Sequence, residues 1–243
     1  MILFLKLLLA HLLADFILQP TGWVHEKERL KHKSSKLYLH LLVHFGCMAL
    51  LVWETGLLPA IIVITIVHGV IDYLKIQYQH SNRRGAFFLD QLLHIVTLII
   101  AVWVIQNNAF AGYGFAWNIY YLPVITALVW LTIPCSIVIR NIMSAWSSQI
   151  QFKSTDIETK SLQNAGKIIG ILERVLVFIF IMVNHWEAVG FLITAKSVFR
   201  FSDLKLAQDR KLTEYILIGT LLSFGTAIVT AIITQYILKQ ISI

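Results

Sequence analysis

The sequence predicts an all-α fold, a polytopic transmembrane helical bundle of about eight spans with both termini outside. Two observations predict it. Hydrophobic residues make up 58% of the 243-residue chain and charged residues only 14%. Apolar windows of about 18–22 residues, each long enough to cross about 30 Å of hydrocarbon, recur almost throughout. The second observation is that lysine and arginine gather in alternate connections between these windows.

The spans are expected at 2–19, 37–54, 57–75, 87–106, 122–142, 166–184, 187–201 and 213–238, with the short seventh tilted or re-entrant. The first has the length and apolar character of a secretory signal. A polar pair interrupts it and no small-residue cleavage site follows, so it is expected to remain a span. The connection 20–36 holds Lys27, Arg29, Lys31, Lys33 and Lys36, whereas the next, near Gly56, holds no basic residue. Lys75, Arg83 and Arg84 mark the third connection, and 107–121 again has none. Arg140, Lys153, Lys160 and Lys167 mark the fifth, the sixth near His185 has none, and Lys205, Arg210 and Lys211 mark the seventh. Basic connections stay in the cytoplasm, so both ends of the chain are expected outside. Trp53, Trp117, Tyr120, Tyr121 and Trp186 sit beside the uncharged connections, as an outer aromatic belt would.

The only long polar stretch, 143–165, divides a front part (1–142, four helices with a fifth appended) from a three-helix back part (166–243). Cys47 and Cys135 fall inside apolar windows and read as packing residues. Gly166, Gly170, Gly219 and Gly225 are expected to let helices approach closely. The net charge of +7 is explained by cytoplasmic loops facing anionic lipid, and no nucleic-acid partner is expected.

Against this apolar background the first four spans carry costly residues. His11 and Asp15, His40 and His44, His68 and Asp72, and Asp90 and His94 are each spaced i, i+4, which puts both side chains on one helix face. HLLADF followed by LHLLVHF is echoed by HGVIDY followed by LDQLLHI, a tandem helical hairpin. With alternating helix direction, His11, His44, His68 and His94 form a deeper layer. Asp15, His40, Asp72 and Asp90 form one nearer the cytoplasm. Imidazole with carboxylate is the donor set of zinc, manganese or iron, and bundles build such sites from inward pairs. Eight candidates exceed the needs of one ion, so one or two ions are expected, with Asp15, Asp72 or Asp90 free to act as base. For a single pair an interhelical hydrogen bond is the better reading; four pairs at two matched depths favour metal. His25, His32 and His80 lie in basic connections and His185 on the outer side, so they are left out.

At HLLADF, HLLVH, HGVID and DQLLH the chain resembles a bacterial inner-membrane family known only as a domain of unknown function. The likeness extends over most of the chain, to GILERV around Glu173 and AKSVFRF around Lys196 and Arg200. More loosely it resembles predicted membrane-bound metal-dependent hydrolases. Their His-x-x-x-Asp style of helix also occurs in soluble zinc-dependent phospholipases that cleave phosphate esters, though that spacing is not reproduced in full here. The resemblance implies a metal-dependent hydrolase of the bacterial inner membrane and names no substrate.

The back part has its own charges, Glu173, Arg174, Lys196, Arg200 and Glu214. Lys196 and Arg200 share a helix face and are candidates for holding a phosphate or carboxylate, with Glu173 and Arg174 as further substrate-binding candidates. A salt-bridge network, with Glu173 and Glu214 neutralising Arg174, Lys196 and Arg200, is the equal alternative. The function expected is thus hydrolysis of a phosphoester, or another ester or amide, of a lipid or amphiphile at a cytoplasm-facing zinc site. A divalent-metal transporter is the alternative, set back by the absence of internal proline from the metal-bearing helices. Haem ligation by two histidines is third, disfavoured by the nearby aspartates.

Overall fold

The structure, a computed structural model, describes residues 1–79, 82–107, 119–147, 156–207 and 210–241. Helices account for nearly all of them, and no strand occurs among the described residues. In chain order they are α1 (Ile2–Leu12), α2 (Thr21–Leu30), α3 (Ser35–Val52), α4 (Leu58–Tyr78), α5 (Arg83–Asn107), α6 (Leu122–Leu131), α7 (Ile133–Ser147), α8 (Asp156–Met182), α9 (Trp186–Ala207) and α10 (Arg210–Ile241).

Local chemistry sets the breaks. α1 passes into a π-helical turn, Leu13–Ile17, closed by a Leu18 N–H to Leu13 carbonyl bond of 2.8 Å. Pro20 then lies extended (φ −62°, ψ 147°), and the chain turns by 82° into α2. Proline has no N–H with which to continue the helix, and it disfavours helical backbone at the residue before it. Ser34 caps α3 by accepting from the Lys36 N–H at 3.2 Å, while its hydroxyl donates to Glu26 at 3.0 Å. Pro59, at the start of α4, sits where a missing N–H costs least.

Four of the helices (α4 with the turn before it) are long and apolar enough to cross a membrane, and six candidates result if each bent pair is one span. The exposed surface of these helices is greasy. Ile62, Val63, Ile66 and Val70 of α4 and Leu92, Ile99, Ile100 and Trp103 of α5 are all open. Contiguous apolar exposure on this scale is the mark of a membrane protein. α8 carries Lys167, Glu173 and Arg174 within its apolar stretch.

Three expectations change. The connection 20–36 is not a loop, because it holds α2 and a 3-10 turn at Lys31–Lys33. The span at 122–142 is broken into α6 and α7, bent by 41° two residues before Pro134. The polar stretch 143–165 is helical at both ends, α7 reaching Ser147 and α8 starting at Asp156.

Two compact units result, Met1–Val129 and Trp130–Ile243. The division therefore falls earlier than the polar stretch, and α7 goes with the back unit because it supplies partners to α8. In the front unit α1 packs on α3, α3 on α4, α4 on α5 and α5 back on α1, a closed ring of four helices. An apolar core that includes Leu7, Ala10, Met48, Ile61, Ile64 and Leu98 fills one end of it. In the back unit α10 packs along α8 and α7, and α9 lies against α8.

Candidate metal centre

The other end of the four-helix ring gathers the polar residues. α1 brings His11, the π turn Asp15, α3 His40 and His44, α4 His68 and Asp72, and α5 Asp90 and His94. His11, His40, His44 and His68 are each 1% exposed, and Asp72, Asp90 and His94 no more than 4%. All eight expected residues meet in one place.

Close helix approach makes this possible. A Cβ placed on Gly69, beside His68, would stand 2.9 Å from the Leu41 methyl carbons, so glycine here lets α3 and α4 come together. The glycines expected to serve that role in the back part mostly do not. Gly166 and Gly225 face open space, while Gly170 and Gly219 meet only the side chains of Arg174 and Met143 at ordinary distances.

The imidazoles are crowded. His44 stacks on His68 with centroids 3.8 Å apart, and His68 on His94 at 4.1 Å. His68 uses both nitrogens: Nε2 lies 3.1 Å from His40 Nε2, and Nδ1 lies 3.1 Å from His94 Nδ1. His11 Nδ1 is 3.5 Å from His44 Nε2, and its Nε2 is 3.3 Å from Gln91 Oε1.

Asp15 sits among them. Its Oδ1 is 3.4 Å from His40 Nε2, 3.5 Å from His68 Nε2 and 3.8 Å from His44 Nε2, and Oδ2 is 3.8 Å from His11 Nδ1. Yet Asp15 Oδ1 has no hydrogen-bond partner, nor do His40 Nδ1 and His44 Nδ1. Buried polar atoms are ordinarily paired, so these orphans require an explanation. Ligands of a tetrahedral ion with bonds of about 2.0–2.1 Å stand roughly 3.3 Å from one another. The Asp15, His40 and His68 atoms, at 3.1–3.5 Å, have the spacing of such an edge set. Atoms of His11, Asp15, His44 and His68 likewise all fall within 4.8 Å of each other. The donor set and its unsatisfied atoms fit a divalent ion. A π turn rotates Asp15 into this position, and single π turns inside α-helices recur at functional sites.

Asp72 and Asp90 are held differently. Lys27 of α2 donates to Asp72 Oδ2 at 2.8 Å, and Lys75 donates to Asp90 Oδ2 at 2.7 Å. Asp72 Oδ2 is also 3.6 Å from His40 Nε2. Gln91 donates to Asp90 Oδ2 at 3.0 Å. Lys27, Lys75 and Gln91 were not among the expected site residues. Lys75 had a signal, since 68, 72 and 75 continue one helical stripe. Lys27 had none, because its reach to Asp72 depends on the turn at Pro20.

Residues 3–122 match a family described as a protein of unknown function (DUF3307). That match spans nearly all of the front unit. No curated protein and no solved structure matches the chain. The family region takes in the whole cluster, with Lys27, Lys75 and Gln91, and ends well before Glu173, Lys196 and Arg200. The likeness expected over most of the chain is therefore confined to its front half, and nothing found carries it on to the hydrolases.

Of the network set out as one alternative for the back unit, the pair of Glu173 with Lys196 is present. Arg174 is 3% exposed, and its hydrogen bonds go to neutral oxygens. Its Nε donates to the Leu131 carbonyl (2.8 Å), one terminal nitrogen to Ser223 Oγ (3.3 Å), and the other to the Thr132 carbonyl (3.2 Å) and Ser136 Oγ (2.6 Å). A guanidinium so occupied has little left for a substrate, so Arg174 is a clamp on the α6–α7 break. Lys196 is held by Glu173 and lies 5.1 Å from the centroid of the Phe224 ring. The Arg200 side chain, and those of Lys205, Arg210 and Lys211, lie outside the described residues.

Proposed function

We propose that the front unit is a membrane-embedded metal centre serving a cytoplasm-facing hydrolase, which cleaves a phosphoester, or another ester or amide, of a lipid or amphiphile. One observation carries the metal reading: three imidazole Nε2 atoms converge on Asp15 Oδ1 without hydrogen bonding to it. Asp15, His40, His44 and His68 are the residues that would hold the ion. Nitrogen and oxygen donors in this number suit zinc best and accommodate manganese or iron. A divalent ion would supply a Lewis acid and an acidified water. Asp90, with Oδ1 buried and lacking a hydrogen-bond partner, is placed to accept a proton. His11, braced by Gln91, orients the Asp15 side.

In the same proposal the six candidate spans are joined by α8 and α9, giving eight, with both termini outside and the chain in the bacterial inner membrane. The alternating basic connections support this orientation. Reporters fused after His32 should read as cytoplasmic, and those after Asn107 or at the C-terminus as external. A reversed pattern would remove the cytoplasmic face from the proposal.

Metal transport is the second reading, favoured by the π turn at Asp15 and the 82° break at Pro20 just beyond it. Transport sites lie on interrupted helices, and the absence of internal proline no longer counts against one here. Purified protein separates the two. A hydrolase retains its metal through dialysis and cleaves phosphoester lipids in mixed micelles. A transporter exchanges metal freely and carries it into proteoliposomes, and that result would displace the hydrolase.

A further inference from the structure

The two halves of the cluster balance negative charge in different ways. The ion-pair partners recorded for Asp15 are all imidazoles. Asp72 and Asp90 each face an ammonium group, and in both the lysine takes Oδ2. Their Oδ1 atoms turn instead toward His94 Nε2, at 3.8 Å from Asp72 and 3.3 Å from Asp90. Neither His94 Nε2 nor Asp90 Oδ1 has a hydrogen-bond partner, though both residues are at least 97% buried. Ligand atoms of Asp72, Asp90 and His94 all lie within 4.8 Å of one another. This is a second donor set, complete except for its charge balance.

We infer that Lys27 and Lys75 are built-in cations that keep this second metal position closed, so that the cluster takes one divalent ion, on the Asp15 side. Two ammonium groups and two carboxylates sum to zero. A dication added between them would meet two like charges across a single carboxylate each, where low dielectric leaves repulsion poorly screened. Without the lysines the carboxylates would be a buried double negative charge, which a dication neutralises. Lys27 is placed for this task. It is the one buried side chain of α2 and only 4% exposed. Its helix is pinned by Gln79 donating to Glu28 at 3.1 Å and by Ser34 donating to Glu26. A lysine serving only solubility would point outward.

The inference rests on the metal reading for the Asp15 side, but its test is a difference between variants. Full-length protein is purified in detergent, incubated with zinc, dialysed and analysed for metal. Wild type should hold about one equivalent, and the Lys27→Met/Lys75→Met double variant about one more. Adding His94→Ala to the double variant should abolish the gain. A folded double variant with unchanged zinc overturns the inference. If the double variant does not fold, the single variants Lys27→Met and Lys75→Met decide: zinc content should rise above that of wild type in at least one of them, and unchanged zinc in both overturns the inference. Failure of the metal reading itself looks different, because Asp15→Asn would then leave zinc content as it was.

Discussion

The front and back units both bury charge in long apolar helices, and they satisfy it in opposite ways. In the front unit, carboxylates and imidazoles crowd together while Asp15 Oδ1, His40 Nδ1, His44 Nδ1, Asp90 Oδ1 and His94 Nε2 go without hydrogen bonds. In the back unit a single arginine makes four bonds, all to neutral oxygens of Leu131, Thr132, Ser136 and Ser223. Burial of a charge does not by itself mark a functional site. What distinguishes them is completion: the back unit's arginine is finished by its own chain, and several of the front unit's buried polar atoms are left without a partner from it.

That contrast can be tested from both sides. The largest effect is expected from His68→Ala, because this ring touches His40 and His94 through its two nitrogens and lies 3.5 Å from Asp15 Oδ1. Zinc affinity, measured by chelator competition, should fall by more than the ~10–100-fold typical of outer residues. Equal affinity would make the front cluster a scaffold like the back one. Arg174→Met should do the reverse. Zinc content should hold, while stability in detergent falls by roughly 2–4 kcal/mol, because several acceptors lose their donor. Arg174→Lys should recover only part, since lysine cannot reach all four oxygens at once. Loss of zinc in Arg174→Met would break the distinction.

Gln91→Ala should have a smaller effect. It removes the brace on His11 and one donor to Asp90, so zinc affinity should weaken by about 10-fold with folding unchanged. Smallest is Gly69→Ala, whose new methyl meets only the mobile end of Leu41. Overpacking should cost around 1 kcal/mol in a melting experiment, and Leu41→Ala should relieve it. If that relief is absent, backbone contact rather than Leu41 sets the α3–α4 spacing.

Much of this was legible in the sequence. Helices and their apolar stretches follow from window length, and the i, i+4 pairs place eight candidate residues on inward faces because helical periodicity is a local property. What escaped depended on geometry beyond one helix. The π turn at Leu13–Ile17, in which Asp15 lies, has no compositional signature. In the sequence Lys27 reads as a charge of the connection 20–36, because nothing local reveals that the turn at Pro20 brings it to Asp72 of α4. By charge alone, Arg174 reads equally as a partner of the glutamates or as a substrate contact. Its partners are two carbonyls at the break before Pro134 and the hydroxyls of Ser136 and Ser223, and only the fold brings them within reach.

The claim on which the rest depends is that Asp15 and its imidazoles hold a metal ion. The most direct measurement is the zinc content of purified, dialysed wild type beside Asp15→Asn, with folding checked by circular dichroism and gel filtration. Asparagine keeps the shape and a hydrogen-bonding oxygen but supplies a neutral, weak ligand. The structure predicts about one equivalent of zinc in wild type and far less in a folded Asp15→Asn protein. Equal zinc in the two, or a folded wild type that takes up none, would contradict it and leave HLLAD as a structural joint between helices.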